Sequence, residues 1–414
     1  GGEVAASQDY PNFRPTSDFN FAAQKKLDPR LEYQRTGPAS FVNEFGKVVF
    51  VGDNAPRFDH DPTTRESKGL LIEESRTNYV RVSTNMASEW VSGSGSTAVD
   101  NAITNPDGSV GAWYHTGAEV YHQDIDLSAA STNVIIVSLW MKERSGQSGN
   151  LDIQIYQQIS GSVIVLGAFA FNPATAAIST VDANVSDGTV QEYPNGWYRV
   201  SAKFTTASGN FSSTTRYDMQ GAEHYVWGMQ MEVGAFPTSF IPTNGATITR
   251  GADIVDIDGE DFTDFYNQSE STIISSHTLL MGVQNAENVY VYQIQDASTN
   301  NVIRVIDKNS SYSNVATGLV LNGGSSQFHF NNTTDSFTKD KVLVALSVKQ
   351  DDFAGCHNGG DLSLDNSGTL PTNFNSLGIG RYPPSGGYEL NGHIQRFIYY
   401  PKQLSDSQLK TLTS

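Results

Sequence analysis

Trp197-Tyr-Arg-Val-Ser-Ala-Lys-Phe-Thr205 alternates strictly: Tyr198, Val200, Ala202 and Phe204 fall on one side of an extended chain, and Arg199, Ser201 and Lys203 on the other. A period of two with one apolar and one polar side marks a strand that packs on one face and meets water on the other. The signal recurs outward in both directions. Tyr225 to Val233 sets Tyr225, Trp227, Met229, Met231 and Val233 in one row against Val226, Gln230 and Glu232. Val134 to Met141 is apolar on both faces, which predicts a central strand covered from both sides. Further strands are expected at Leu151 to Tyr156, Val163 to Phe171, Val289 to Gln295, Val302 to Asp307, Lys341 to Gln350 and His393 to Tyr400, divided by Gly, Asn, Asp and Ser clusters. Helical periodicity is nearly absent except at the end of the chain. There Ser405 is a good N-cap, Gln408 is its capping-box partner, Leu404 and Leu409 stand at the hydrophobic-staple positions, and Leu409 and Leu412 form a stripe. The fold class is all-β: two antiparallel β-sandwich domains in tandem, an N-terminal extended segment and a short C-terminal helix.

The 414 residues divide by composition into a weakly patterned, Pro- and Arg-containing segment 1–78, a strand-rich block 79–252, an acidic linker 253–267 and a second strand-rich block 268–414. No repeat of fixed period occurs, against a solenoid or propeller. With 18 Tyr, 21 Phe and 5 Trp the chain can build solid cores, which excludes disorder for most of its length. The longest uncharged run, Ile153 to Val181, is interrupted by Gln154, Gln157, Gln158, Asn172 and Pro173, so no membrane insertion is expected. The formal charge is −18, from 26 Lys and Arg against 44 Asp and Glu, and the cations are scattered. Nucleic acid is therefore not an expected partner. The single cysteine, Cys356, excludes an intramolecular disulfide framework and a Cys-rich zinc site.

Catalytic patterns are weak. Asp256, Asp258 and Glu260 would share one face of an extended segment, the nearest thing to the facing carboxylates that a polysaccharide depolymerase needs. No Gly-x-Ser-x-Gly elbow occurs, and Cys356 beside His357 is a sequence neighbour rather than a geometric dyad. His115, Glu119 and His122 have no third metal ligand that the sequence names. Sugar recognition needs flat aromatic faces beside short polar groups, and the chain is rich in both. Trp140 and Trp227 read as core. Trp90, Trp113, Tyr114 and Tyr121 lie near loop clusters and are the carbohydrate-binding candidates of the first block. In the second block Arg381-Tyr-Pro-Pro-Ser-Gly-Gly-Tyr388 offers Arg381, Tyr382 and Tyr388 on one loop, and His357 and Asn358 occupy a Gly-rich turn. Sandwich-rim loops are where such folds place ligand sites.

Ala55-Pro-Arg-Phe-Asp-His-Asp-Pro62 followed by Gly69-Leu-Leu-Ile-Glu-Glu-Ser-Arg-Thr-Asn78 resembles a signature of the tail-fibre and adhesin-type structural proteins of bacteriophages. The likeness continues at Asn195-Gly-Trp-Tyr-Arg-Val200, Trp227 to Thr243 and Thr249-Arg-Gly-Ala-Asp253. The resemblance implies a carbohydrate-binding-module-like jelly roll between these strings. Val342 to Phe353, Leu377-Gly-Ile-Gly-Arg381 and Leu390 to Pro401 are similar to the concanavalin-like or laminin-G-like sandwiches appended to such proteins. It further implies a non-catalytic component of the virion, in the phage tail or another exterior appendage and acting outside the host cell, that adsorbs to host envelope polysaccharide. Other virion proteins and copies of the chain, as a homo-oligomer with a trimer favoured, are the implied partners, although no heptad run specifies one. No cofactor is required. A structural calcium is implied near the first and last strands of the jelly roll, with Glu73, Glu74 and Glu232 as donors. Two other classes compete: a purely structural capsid-fibre, decoration or tail-scaffold protein, and a depolymerase.

Overall fold

The computed structural model describes residues 10–85, 89–93, 95–117, 121–159, 162–206, 209–212, 215–280, 289–298, 300–307, 315–332, 341–383 and 387–414. Every strand pairing in it is antiparallel.

Val134–Lys142 runs at the centre of a six-stranded sheet, flanked by Trp197–Thr205 and Val185–Tyr193 on one side and by Tyr225–Val233, Val110–Thr116 and Thr97–Thr104 on the other. A second six-stranded sheet orders Ala177–Val181, Ser162–Asn172, Leu151–Ile159, Thr215–Gly221, Tyr121–Ile125 and Val91–Ser92. The two bury one core, in which Ile135, Val137 and Leu139 meet Ile153, Phe169, Phe204 and Met219. As its pattern requires, Val134–Lys142 is covered on both faces. The hairpin Ala39–Val42 and Val48–Val51 lies over the outer side, where Val42 and Val48 pack with Trp140, Trp227 and Phe240.

One row in this sheet departs from simple alternation. Between Ser138, opposite Gln230, and Trp140, opposite Trp227, the register shifts. Gly228 takes φ 66° at the bulge, and a Cβ there would meet the Trp140 ring at 2.6 Å. The bulge re-aims the strand: Met229 and Met231 face the sandwich core with Val226, whereas Trp227 and half-buried Tyr225 turn to the outer cluster.

The second sandwich draws on three parts of the chain. Its larger sheet orders Ser363–Asp365, Asp352–His357, Val342–Lys349, Glu270–Leu279, Gly392–Tyr400, Ser67–Ile72 and Phe58–His60, with Ser17–Phe19 also paired to Gly392–Tyr400. The facing sheet orders Glu32–Gln34, Ile254–Asp258, Ser376–Ile379, Val289–Gln295, Val302–Asp307, Val315–Asn322 and Ser325–Asn332. Residues 17–78, expected as an extended attachment segment, thus supply strands and core side chains such as Phe19, Leu70 and Ile72 to this sandwich. The 253–267 stretch, expected as a linker, forms one strand and the short helix Gly259–Thr263, and buries Val255, Ile257 and Phe262. Strands of three residues, such as Ser17–Phe19, Glu32–Gln34 and Phe58–His60, are too short to show a period of two, so composition hid them.

The closing helix forms over Asp406–Leu412 with both capping-box bonds, Gln408 N to Ser405 Oγ at 3.4 Å and Ser405 N to Gln408 Oε1 at 3.0 Å. Leu404 and Leu409 pack with Cys356, Ile398 and Tyr400 on the outer side of the larger sheet. No helix among the described residues is long and apolar enough to cross a membrane.

Candidate functional site

Tyr290 opens the strand Val289–Gln295 at one rim of the second sandwich, and the loop after Arg381 folds back on it. The Tyr290 amide donates to the Tyr388 carbonyl at 3.0 Å, and the Tyr382 amide to the Gly387 carbonyl at 3.3 Å. These bonds gather three phenol rings, with centroids 5.1 Å apart for Tyr290 and Tyr382, 5.9 Å for Tyr290 and Tyr388, and 6.1 Å for Tyr382 and Tyr388. Tyr388 adopts left-handed backbone, φ 56°, and stays 48% exposed. Arg304 on the adjacent strand donates to the Tyr290 hydroxyl at 3.2 Å and holds its guanidinium 5.5 Å from that ring centroid.

Arg381 underpins the loop. Its Nη1 donates to Asp256 Oδ2 at 2.7 Å and its Nη2 to the Pro383 carbonyl at 3.1 Å. Burial pushes the Asp256 carboxyl up, against the pull of Arg381, and burial likewise pushes Glu389 up although it accepts from the Gly387 amide. The result is one exposed phenol, Tyr388, seated on half-buried Tyr382 and buried Tyr290 and backed by buried polar groups. Such a surface can stack on the apolar face of a pyranose and hydrogen-bond its hydroxyls. The structure therefore brings Arg381, Tyr382 and Tyr388 together and adds Tyr290, Arg304, Asp256 and Glu389. Tyr290, Arg304 and Asp256 sit on three different strands, and only the sheet order places them here, whereas Glu389 follows Tyr388 in the same loop. His357 and Asn358 lie elsewhere, and His357 is corrected: it ends the strand Asp352–His357 and is buried, while in the turn after it Asn358 Oδ1 accepts from the Leu343 amide at 2.8 Å and the Gly359 amide donates to Thr413.

The aromatic candidates of the first block are corrected by their burial. Trp90, Trp113 and Tyr121 are core side chains: Trp90 donates to the Val82 carbonyl at 2.8 Å, and its ring lies 6.1 Å from Trp113 and 5.7 Å from Tyr217, while Trp113 lies 6.2 Å from Tyr121. Their neighbouring Gly and Asn clusters signalled turns, not exposure of the side chains beside them. Tyr114 is half-buried against Tyr225, with the Arg144 guanidinium 3.9 Å over its ring. His115 points into the sandwich beside Tyr121, His122 lies half-buried on the opposite face, and Glu119 lies outside the described residues.

The carboxylates expected to hold calcium are instead anions of an ionic cluster where the N-terminal segment and both sandwiches meet. Arg57 donates to Glu73 Oε2 and to Ser239 Oγ, both at 2.6 Å, and to Asp253. Arg250 reaches Glu73 Oε2 at 2.9 Å, and Arg35 and the Tyr33 hydroxyl face Asp253. Burial alone would raise Glu73, but Arg250 and Arg57 outweigh it and hold the carboxyl far below the carboxylate range. Glu232 accepts from the Thr238 hydroxyl and amide and from Gln230, and Glu74 pairs with Arg76 and Asn391. Three fully buried arginines, 35, 57 and 250, thus pair with the buried carboxylates 73 and 253, and buried Glu232 joins through the Thr238 hydroxyl, which donates to it and accepts from Arg250. No group of three or more His, Cys, Asp or Glu side chains among the described residues is arranged to hold a metal ion.

Asp256, Asp258 and Glu260 do not share an extended face, because the strand ends at Asp258 and Glu260 belongs to the helix that follows.

No family profile and no curated protein matches this chain. Among solved structures it is similar to the CBM40 module of the Ruminococcus gnavus IT-sialidase bound to α2,3-sialyllactose, at 13% identity and TM-score 0.32 over 37% of this chain and 87% of that one. It is similar also to botulinum neurotoxin type C, from a study of its cell entry through two ganglioside molecules, at 13% identity and TM-score 0.32 over 64% and 50% of the two chains. A third is the Trypanosoma rangeli sialidase with the inhibitor DANA, at 11% identity and TM-score 0.26 over 78% and 71%. Likenesses this distant leave function to be argued from the chain's own residues, which fold as an all-β protein of two packed sandwiches.

Proposed function

We propose that this chain is a non-catalytic adhesin of a phage tail or other virion appendage, and that the tyrosine rim of its second sandwich adsorbs host envelope polysaccharide. The observation that carries the reading is the cluster of Tyr290, Tyr382 and Tyr388 with Arg304 against it, half of the Tyr388 side chain being open to solvent. Its phage setting rests on the resemblance of the strings at 55–62 and 69–78. A shallow site of this kind binds weakly, so adsorption draws on several copies, as a trimer of the chain would present them. Burial of Trp90, Trp113 and Tyr121 favours the second reading, a structural role in the virion for the first sandwich.

The test is binding of labelled protein to candidate host cells with and without periodate oxidation of their glycans. Binding is expected to fall after periodate and to fall about tenfold or more in Tyr388→Ala, the loss of one stacking face. Binding by the folded native oligomer that neither treatment changes would remove the adhesin reading.

A further inference from the structure

We infer that the cleft at the junction of the N-terminal segment and the two sandwiches is a second binding site, for a neutral oligosaccharide. The cleft encloses about 760 Å³, inside the roughly 300–1,000 Å³ range of small-molecule sites. One wall is the outer side of the first sandwich, with Thr189, Gln191, Arg199 and Ser201; the opposite wall is the second sandwich, with Thr278 and Gln395; Asp59, Asp61 and Ser67 of the N-terminal segment close it.

Charge selects the ligand. Two ionic groups of the walls are paired, Asp61 with Lys68 at 3.5 Å and Glu73 with Arg57 and Arg250, and Asp59 Oδ2 lies at hydrogen-bond distance, 2.8 Å, from His393 Nε2. Arg199 donates to the Thr238 carbonyl at 2.7 Å and to Ser138 Oγ at 3.2 Å. The other charged side chains of the lining, Glu66, Glu192 and Lys341, are solvent-exposed. With the histidines neutral, the lining carries Asp59, Asp61, Glu66, Glu73 and Glu192 against Lys68, Arg199 and Lys341, so an anion entering here meets no surplus of opposite charge. Thr189 Oγ1 and Ser201 Oγ already pair at 2.6 Å, and an apolar ligand would still strip water from the Gln191 amide, at a desolvation cost. Those groups, Thr and Ser hydroxyls with Gln amides, both donate and accept, as a sugar's hydroxyls require. A rail of hydrogen bonds fixes one side: Gln395 Nε2 donates to Thr278 Oγ1 at 3.2 Å, and Ser276 Oγ to Gln395 Oε1 at 3.1 Å. Leu279 and Leu280 supply the apolar surface, and the buried Trp140 ring lies behind the Arg199 guanidinium, 4.7 Å from it.

The cleft does not depend on the tyrosine rim, and fluorescence separates the two. All five tryptophans lie between residues 90 and 227, in the first sandwich, and Trp140 borders the cleft. Neutral tri- and tetrasaccharides of glucose, galactose, mannose and rhamnose would be titrated into the full chain, followed by tryptophan emission and, in parallel, by calorimetry. A saccharide in the cleft is expected to change emission, and Thr189→Trp, which fills the cleft, and Gln191→Ala, which removes an amide, are expected to raise its Kd about tenfold or more. Heat without an emission change, abolished by Tyr388→Ala and untouched by both cleft variants, would place binding on the rim and overturn the cleft. Binding of no saccharide in the panel by either readout would overturn it as well.

Discussion

Replacing Asp218 by asparagine should stabilise the first sandwich at alkaline pH and leave it unchanged in acid. Asp218 is 3% exposed on Thr215–Gly221, on the side turned away from the core, opposite His122 on one neighbouring strand and Gln154 on the other. Its Oδ1 has no hydrogen-bond partner among the described residues. Burial pushes the carboxyl from 3.8 up to about 7, against the pull of Arg216 and with a smaller push from Asp124. A folded group that holds its proton more tightly than the unfolded one contributes stability in full below about pH 4, and loses it as pH climbs through 7. Raising the carboxyl from 3.8 to about 7 sets a ceiling of about 4 kcal/mol. Arg216 and water over the open sheet face screen the charge, so a loss of about 2 kcal/mol is expected by about pH 8. The assay is urea unfolding followed by tryptophan emission, which reports this sandwich because it holds all five tryptophans. His122, Asp124, Asp152, Tyr156 and Arg216 remain in both proteins, so the difference between wild type and Asp218→Asn isolates one group. Matching midpoints at about pH 3 with the variant ahead by about 2 kcal/mol at about pH 8 is the expected pattern. Curves that coincide at both pH values, or a variant equally weakened at both, would refute the reasoning.

Arg57→Ala should cost about 3–5 kcal/mol in the same urea assay, because it strands the buried carboxylates of Glu73 and Asp253. Adding Glu73→Gln to it should cost less than the sum of the two single changes, since they share one interaction; strict additivity would count against a coupled cluster. A fragment of residues 268–414 should aggregate on size-exclusion chromatography. It leaves Gly392–Tyr400 without Ser17–Phe19 and Ser67–Ile72, and Ser376–Ile379 without Ile254–Asp258, exposing open sheet edges. A monodisperse fragment would show that those strands are dispensable.

Some of this architecture is legible in the residues, and the boundary is physical. Strands of seven or more residues such as Trp197–Thr205 carry enough period to assign a face, and Ser405 with Gln408 specifies a helix start locally. Ser17–Phe19, Glu32–Gln34 and Phe58–His60 hold three residues each, and only their partners in the sheet define them. Gly228 hides a bulge inside an apolar row, because a glycine in a strand reads the same whether it bends the chain or not. At the rim Arg381, Tyr382 and Tyr388 are legible because one loop carries them, whereas Tyr290 and Arg304 join through the sheet order.

The strings that carry the phage resemblance have a different meaning in three dimensions. Arg57, Asp59, Glu73, Arg76, Asn78, Arg250 and Asp253 all come from them, and most are buried partners at the junction. Asn78, for instance, donates to the carbonyls of Met229 and Ile241, and Asp59 Oδ2 lies 2.8 Å from His393 Nε2. Those strings therefore specify how the N-terminal segment and the two sandwiches lock together, and only indirectly what the molecule binds. The locking is demanding because three arginines and three carboxylates are removed from water together, and loss of any one leaves an uncompensated buried charge. The tyrosine rim bears no such constraint: Tyr388 is held by a backbone bond from Tyr290, and its ring can be exchanged without unpairing a buried group. A scaffold of this design can keep its junction while changing the chemistry of its rim.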